Sequence, residues 1–223
     1  MVRAETMMGA AVNRAAEQGA PLVVGRDPWA SVSSETARTI LKAAVQAFSE
    51  RGFHGTNLKA ITAGTGLSTA ALYVHFSSKE DLLFEISKRG YLETVEIVEA
   101  ATAFDDPVEA LRVLVYAFTR WQAEQHTTGR IVFYESEALT DEHANELLEL
   151  RRGGELKIRA VIEKGIEQGA FLPGDVRGVS AALLSLSIDV ARWYGPHAPY
   201  SPDELGRLYC VLACRMLGVR DDD

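Results

Sequence analysis

The stretch that most limits what this chain can fold into is residues 56–85, TNLKAITAGTGLSTAALYVHFSSKEDLLFE. Its pattern predicts two short helices joined by a tight turn, then a third helix. Asn57 and Ser68 each carry a side-chain oxygen that can accept from an orphan backbone N–H at a helix start. Leu58 and Ile61, three apart, form the buried edge of the first helix. Leu72 and Phe76, four apart, point inward from the second, which leaves Thr69, Ala70 and Tyr73 on the neighbouring outer face. Gly64 and Gly66 permit turn angles that bulkier residues resist. This is the layout of a helix-turn-helix, whose second helix enters the DNA major groove.

The motifs Ala47-Phe48-x-x-x-Gly52-Phe53, Ile61-x-x-x-x-Gly66-Leu67-Ser68, Leu72-Tyr73-x-His75-Phe76 and Ser78-Lys79-Glu80-x-Leu82 recur here at one linked spacing. Over about Ser34 to Glu85 the chain thereby resembles the TetR family of bacterial transcriptional regulators. The resemblance implies base-facing roles for Thr69, Ala70, Ala71 and Tyr73. It implies phosphate contacts for Lys59, Tyr73, His75 and Lys79, with Asn57 and Ser68 helping at the helix starts. Two positions depart from the family pattern. Position 69 is often Lys and here is Thr; position 71 is often Thr and here is Ala, which can touch a thymine methyl but cannot hydrogen-bond.

The rest of the chain has helical periodicity. Ser34 offers a cap for a helix from Glu35 to Arg51 whose buried face holds Ile40, Leu41, Ala44, Ala47 and Phe48, and Gly52 ends it with Phe53 folding back. Ser77 and Glu80 match a capping box for the next long helix. Asp106-Pro107 starts another, with Leu111, Leu114, Val115, Phe118 and Trp121 as its stripe. Residues 129–135 read as a short buried helix, with a strand as the weaker option. Thr140 caps a helix that Gly169 ends, and Gly153-Gly154 predicts a break or bend in its middle. The segment from Val176 to Tyr194 is apolar over most of its surface, the mark of a helix buried on more than one side. Ser201-Pro202-Asp203-Glu204 opens the last helix.

The expectation is an all-α fold: an N-terminal three-helix helix-turn-helix DNA-binding domain at 34–86, and a larger C-terminal helical ligand-binding and dimerisation domain at 87–223. Residues 1–33 read as a disordered N-terminal arm, in which Arg3, Arg14 and Arg26 either touch DNA or belong to a solvated tail. A chain of 223 residues, 47% hydrophobic, is long enough for two modules. Its net charge of −8 lies entirely in residues 87–223, which hold 15 basic and 23 acidic residues, while residues 34–86 hold five of each. A neutral module gives modest nonspecific phosphate attraction, so binding leans on shape, helix N-termini and dimer avidity.

Motifs for other chemistry are missing. There is no phosphate-binding Gly loop, no Gly-x-Ser-x-Gly and no Cys/His metal set, so no cofactor and no metal are expected. Cys210 and Cys214 lie one helical turn apart; they pack in a core or subunit contact, or form a redox switch. No signal peptide or membrane span is read, which makes a cytoplasmic protein the expectation. A helical enzyme and a non-DNA-binding helical interaction protein are the alternatives. A gel shift with DNA from upstream of the chain's own gene discriminates, because binding removes both.

The large aromatics Phe118, Trp121, Phe133, Tyr134 and Trp193 suit either ordinary core packing or an apolar cavity for a small effector. The runs Val190-Ala191-Arg192-Trp193-Tyr194-x-Pro196, Ser201-Pro202-x-Glu204-Leu205 and Arg130 to Glu135 resemble TetR-like regulators of fatty-acid and steroid breakdown. Those respond to acyl-coenzyme A thioesters, and the resemblance implies a repressor released from operator DNA by such an effector. Arg192 has two readings: a salt bridge to Asp189 on the same face, or a ligand contact to a coenzyme A phosphate. The last two helices are expected to form a homodimer, with Ala181, Ala182 and Ser185 permitting close approach and Leu208, Val211, Leu212 and Cys214 near the partner.

Overall fold

The computed structural model describes residues 27–219. Its elements are α1 (Glu35–Gly55), α2 (Leu58–Thr62), α3 (Thr69–Tyr73), α4 (Lys79–Thr102), α5 (Pro107–Glu124), α6 (His126–Tyr134), a 3-10 turn (Ser136–Ala138), α7 (Asp141–Glu167), α8 (Val176–Trp193) and α9 (Pro202–Met216). No strand occurs among the described residues, and the all-α expectation holds. They pack as two units, one of residues 27–93 with 127–150 and one of residues 94–126 with 151–219. Residues 127–150, placed by the sequence in the C-terminal segment, therefore pack with the helix-turn-helix.

In the first unit Ile40, Leu41, Ala44 and Phe48 of α1 meet Ile61, Leu72, Phe76, Leu82, Leu83 and Ile86, with Ile131 of α6 beside them. Trp29, 4% exposed, joins this core. That corrects the reading of an arm through residue 33: an indole this apolar is captured by the core once the chain turns at residues 28–31. Arg3, Arg14 and Arg26 lie outside the described residues. Gly52 leaves the helical region at φ 69°, as its role as a stop requires, and three more residues form a turn behind it.

The start of α4 differs from the expected capping box. Ser78, not Ser77, caps it: its Oγ accepts from Asp81 N at 2.9 Å. The Asp81 carboxylate in turn accepts from Ser77 N at 2.8 Å. Glu80 cannot reach back because it is engaged elsewhere, accepting from Thr140 N at 3.0 Å and lying 2.8 Å from His143 Nδ1. The His143 ring stacks flat on Phe84, centroids 3.7 Å apart.

The second unit is built around α5, which packs against α8 and α9 and is buried on almost every side. Asp106 caps it by accepting from Val108 N at 2.9 Å. Two corrections arise here. α7 runs through Gly153-Gly154 without interruption; each glycine costs only about 1 kcal/mol in a helix interior, which a 27-residue helix absorbs. And α8 buries one face, through Ser180, Leu183, Ser187, Val190 and Ala191, while Ala181, Ser185 and Leu186 are exposed. Both cysteines are buried, and the Cys210 thiol is pushed far up by its hydrogen bond to Cys214 and by burial. Burial shields both thiols from oxidants. Cys214 thus packs within its own chain.

Gly206 of α9 packs closely against α5. A Cβ there would fall 2.9 Å from the Tyr116 ring and 3.0 Å from its carbonyl oxygen. The ring cannot swing away, because its hydroxyl donates to Asp203 and accepts from Arg120 at 3.1 Å. Gly206→Ala should therefore lower stability by about 1–2 kcal/mol despite alanine's better helix propensity. Thermal denaturation checks this; an unchanged or raised midpoint would mean that the contact relaxes freely.

Candidate nucleic-acid interface

The turn between α2 and α3 is held by its own side chains. Thr65 Oγ1 donates to Thr62 O at 2.9 Å and accepts from Leu67 N at 3.2 Å. Gly64 and Gly66 sit at φ 105° and 73°, backbone angles closed to most residues. The caps are as the sequence predicts: Asn57 Oδ1 accepts from Ala60 N at 2.9 Å, and Ser68 Oγ from Ala71 N at 3.1 Å. Leu72, fully buried, and Phe76 anchor α3 from behind.

That anchoring turns one face outward. Asn57, Lys59, Ser68, Ala70, Tyr73 and His75 are exposed, Tyr73 by 56%, while Thr69 and Ala71 are half-buried. Val74, 78% exposed, stands beside Tyr73. It has no place among the contacts expected from sequence.

Lys79 behaves differently from the other predicted contacts. Its ammonium donates to Phe53 O at 2.7 Å and Thr56 O at 2.8 Å and lies 4.2 Å from the Phe53 ring centroid. Thr56, itself buried, donates to Gly52 O at 2.8 Å and lies 3.0 Å from Ala47 O. Together with the Thr56 N–H, which also donates to Phe53 O, these two side chains supply donors to the carbonyls at the end of α1.

Residues 40–86 match the model of the bacterial regulatory proteins of the tetR family, and residues 105–217 match the tetracyclin repressor-like C-terminal domain. The chain belongs to the TetR family. Among its relatives is the HTH-type transcriptional repressor KstR2 of Mycobacterium tuberculosis, 30% identical over 182 residues, covering 78% of this chain and 88% of that protein. A tetR-family regulatory protein from Rhodococcus RHA1 superposes with a TM-score of 0.80 at 32% identity, covering 85% of this chain and all of that one. PfmR of Thermus thermophilus, a TetR-family transcriptional regulator, gives 0.75 at 35% identity, with 79% and 97% covered. The TetR-family chain is thus a DNA-binding transcriptional regulator.

The predicted effector contacts of this TetR-family chain fall in different units. Phe118 and Trp121, 6% and 2% exposed, are buried on α5. Phe133 and Tyr134 belong to the helix-turn-helix unit: Phe133 packs edge-on to Tyr91 with centroids 5.6 Å apart, and Tyr134 is half-exposed. Trp193 is 40% exposed beside Tyr194. Arg192 is exposed and donates through Nε and an Nη to the two Asp189 oxygens at 2.6 and 2.8 Å. The salt bridge is present, and Arg192 bears no burial cost that a ligand would have to relieve.

Tyr73 and Lys79 make a contrasting pair. Tyr73→Ala should weaken operator binding at least tenfold, the loss of roughly 1.5 kcal/mol of contact, with no change in melting temperature. Lys79→Met should lower the melting temperature, because Thr56 O loses its donor and Phe53 O keeps only the Thr56 N–H. Gel shifts and thermal denaturation of both variants check this. Unchanged binding by Tyr73→Ala would remove it from the groove.

Proposed function

We propose that this chain is a transcriptional repressor that binds operator DNA as a homodimer and is released by an acyl-coenzyme A thioester. The observation that carries the DNA half is the outward face of α3, with Tyr73 exposed over a fully buried Leu72. Thr69, Ala70, Ala71 and Tyr73 are the groove contacts; Lys59 and His75 lie along the phosphates, with Asn57 and Ser68 at the helix starts, while Lys79 serves the framework behind them. Repression agrees with the relation to KstR2.

The effector class follows from the C-terminal segments that resemble regulators of fatty-acid and steroid breakdown. The related KstR2 is a ketosteroid transcriptional regulator. Phe118 and Trp121 would hold the apolar part of the effector. In a gel shift with DNA from upstream of its own gene, the protein is expected to form a complex that one of a series of acyl-coenzyme A thioesters dissolves. A complex that survives every thioester would sink the effector class and leave the regulator.

Dimerisation is supported by α8 and α9, which leave Leu186, Leu208, Leu212 and Met216 each 38–45% exposed. Large apolar side chains gathered on two neighbouring helices mark an interaction surface. A single short recognition helix reads few base pairs, so two are needed on one operator. Light scattering should give twice 24.4 kDa, and Leu212→Glu should give the monomer and abolish operator binding. A wild-type monomer at micromolar concentration would rule the dimer out.

A further inference from the structure

We infer that Gln122 is the residue that hydrogen-bonds the effector, reading a neutral oxygen on an otherwise apolar ligand. Gln122 lies in the last turn of α5 and is completely buried. Neither its Oε1 nor its Nε2 has a hydrogen-bond partner. Among the described residues the buried Ser87 hydroxyl is also without a partner, but it lies in the other unit; Gln122 is the one carboxamide so placed. Arg89 and Arg159 lack a partner at Nε only, and their other nitrogens reach Ser31, Glu85 and Glu155.

A buried carboxamide with nothing to bond lowers stability, and cores avoid it. The same helix shows the usual remedy nearby: Thr119, equally buried, lies 3.1 Å from Ser187 Oγ. Gln122 has no such remedy. Its helical neighbours at i−3, i−4 and i−7 are Thr119, Phe118 and Val115, and Trp121 stands next to it, all buried. A trapped water needs two to four polar partners, and of these side chains only Thr119 is polar and already engaged with Ser187. An apolar surround with one unpaired polar group is how small-molecule sites fix a ligand's orientation. An uncharged carboxamide does not offset the cost of burying a carboxylate or phosphate among apolar side chains, so a carbonyl or hydroxyl oxygen is the favoured partner. The inference rests on the proposed effector-sensing role of this unit, and an acyl thioester presents such an oxygen at its carbonyl.

Gln122→Met keeps the length and shape of the side chain and removes both unpaired atoms; Gln122→Leu is the second variant. The ligand-free Gln122→Met protein is expected to melt about 2–6 °C above wild type. Octanoyl-coenzyme A and the octyl thioether of coenzyme A differ only in the carbonyl. Wild type should release operator DNA at a roughly three- to tenfold lower concentration of the thioester than of the thioether, and Gln122→Met should release equally with both. If neither compound acts on wild type, the thioester reading falls, and a second comparison decides the inference alone. In saturation-transfer NMR, wild type should favour cyclohexanone over methylenecyclohexane, its isosteric alkene, and Gln122→Met should not. A lower melting temperature in both variants would make the amide structural and overturn the inference. So would a carbonyl preference that survives in Gln122→Met, or one absent from wild type with both pairs.

Discussion

The helix-turn-helix depends on how α1 ends. At Gly52 the backbone turns out of the helix, and the carbonyls there are left short of intrahelical donors. The ammonium of Lys79 takes those of Phe53 and Thr56, and the Thr56 hydroxyl takes that of Gly52. Phe53 then stays in the core, 6% exposed, under the same ammonium. One lysine at the first position of α4 therefore ties the close of α1 to the approach to α2 across more than twenty residues. The recognition helix is too short to hold its own shape, since isolated helices of this length are unstable in water. Its orientation comes from the framework that Lys79 closes.

Such a knot is invisible in local sequence, whereas caps are not. Ser34, Asn57, Ser68, Asp106 and Ser201 each bond a backbone N–H two or three residues ahead, so spacing alone predicts them. Apolar periodicity likewise places α1, α5 and α9, because a helix buries a face whatever it packs against. The misread features involve distant partners. Ser77 and Glu80 satisfy the capping pattern on paper, but Glu80 is taken by His143, sixty-three residues away. Gly153-Gly154 looked like a break because propensity is local, while the helix that spans it is long.

The effector side was legible only in part. Phe118 and Trp121 announced themselves as large apolar residues on one stripe. Gln122 did not: a polar residue between Trp121 and Ala123 reads as the solvated side of an amphipathic helix. It is buried only because α5 is enclosed on nearly all sides, which no single-helix pattern records. Arg192 is the reverse case. Its apolar neighbours predicted a buried charge, yet it stands on the open side of α8 beside Asp189.

The DNA-binding segment carries five basic and five acidic residues over positions 34–86, and that balance governs how the protein finds its operator. Loose, sequence-blind attachment to a chromosome is driven by released counterions, and a neutral module releases few. A chromosome offers on the order of a million or more decoy sites. A strongly basic module would spend most of its time on them. A neutral one should hold to them less tightly, which leaves a larger share of its copies free. Its search should then lean more on three-dimensional encounters than on long slides along the duplex.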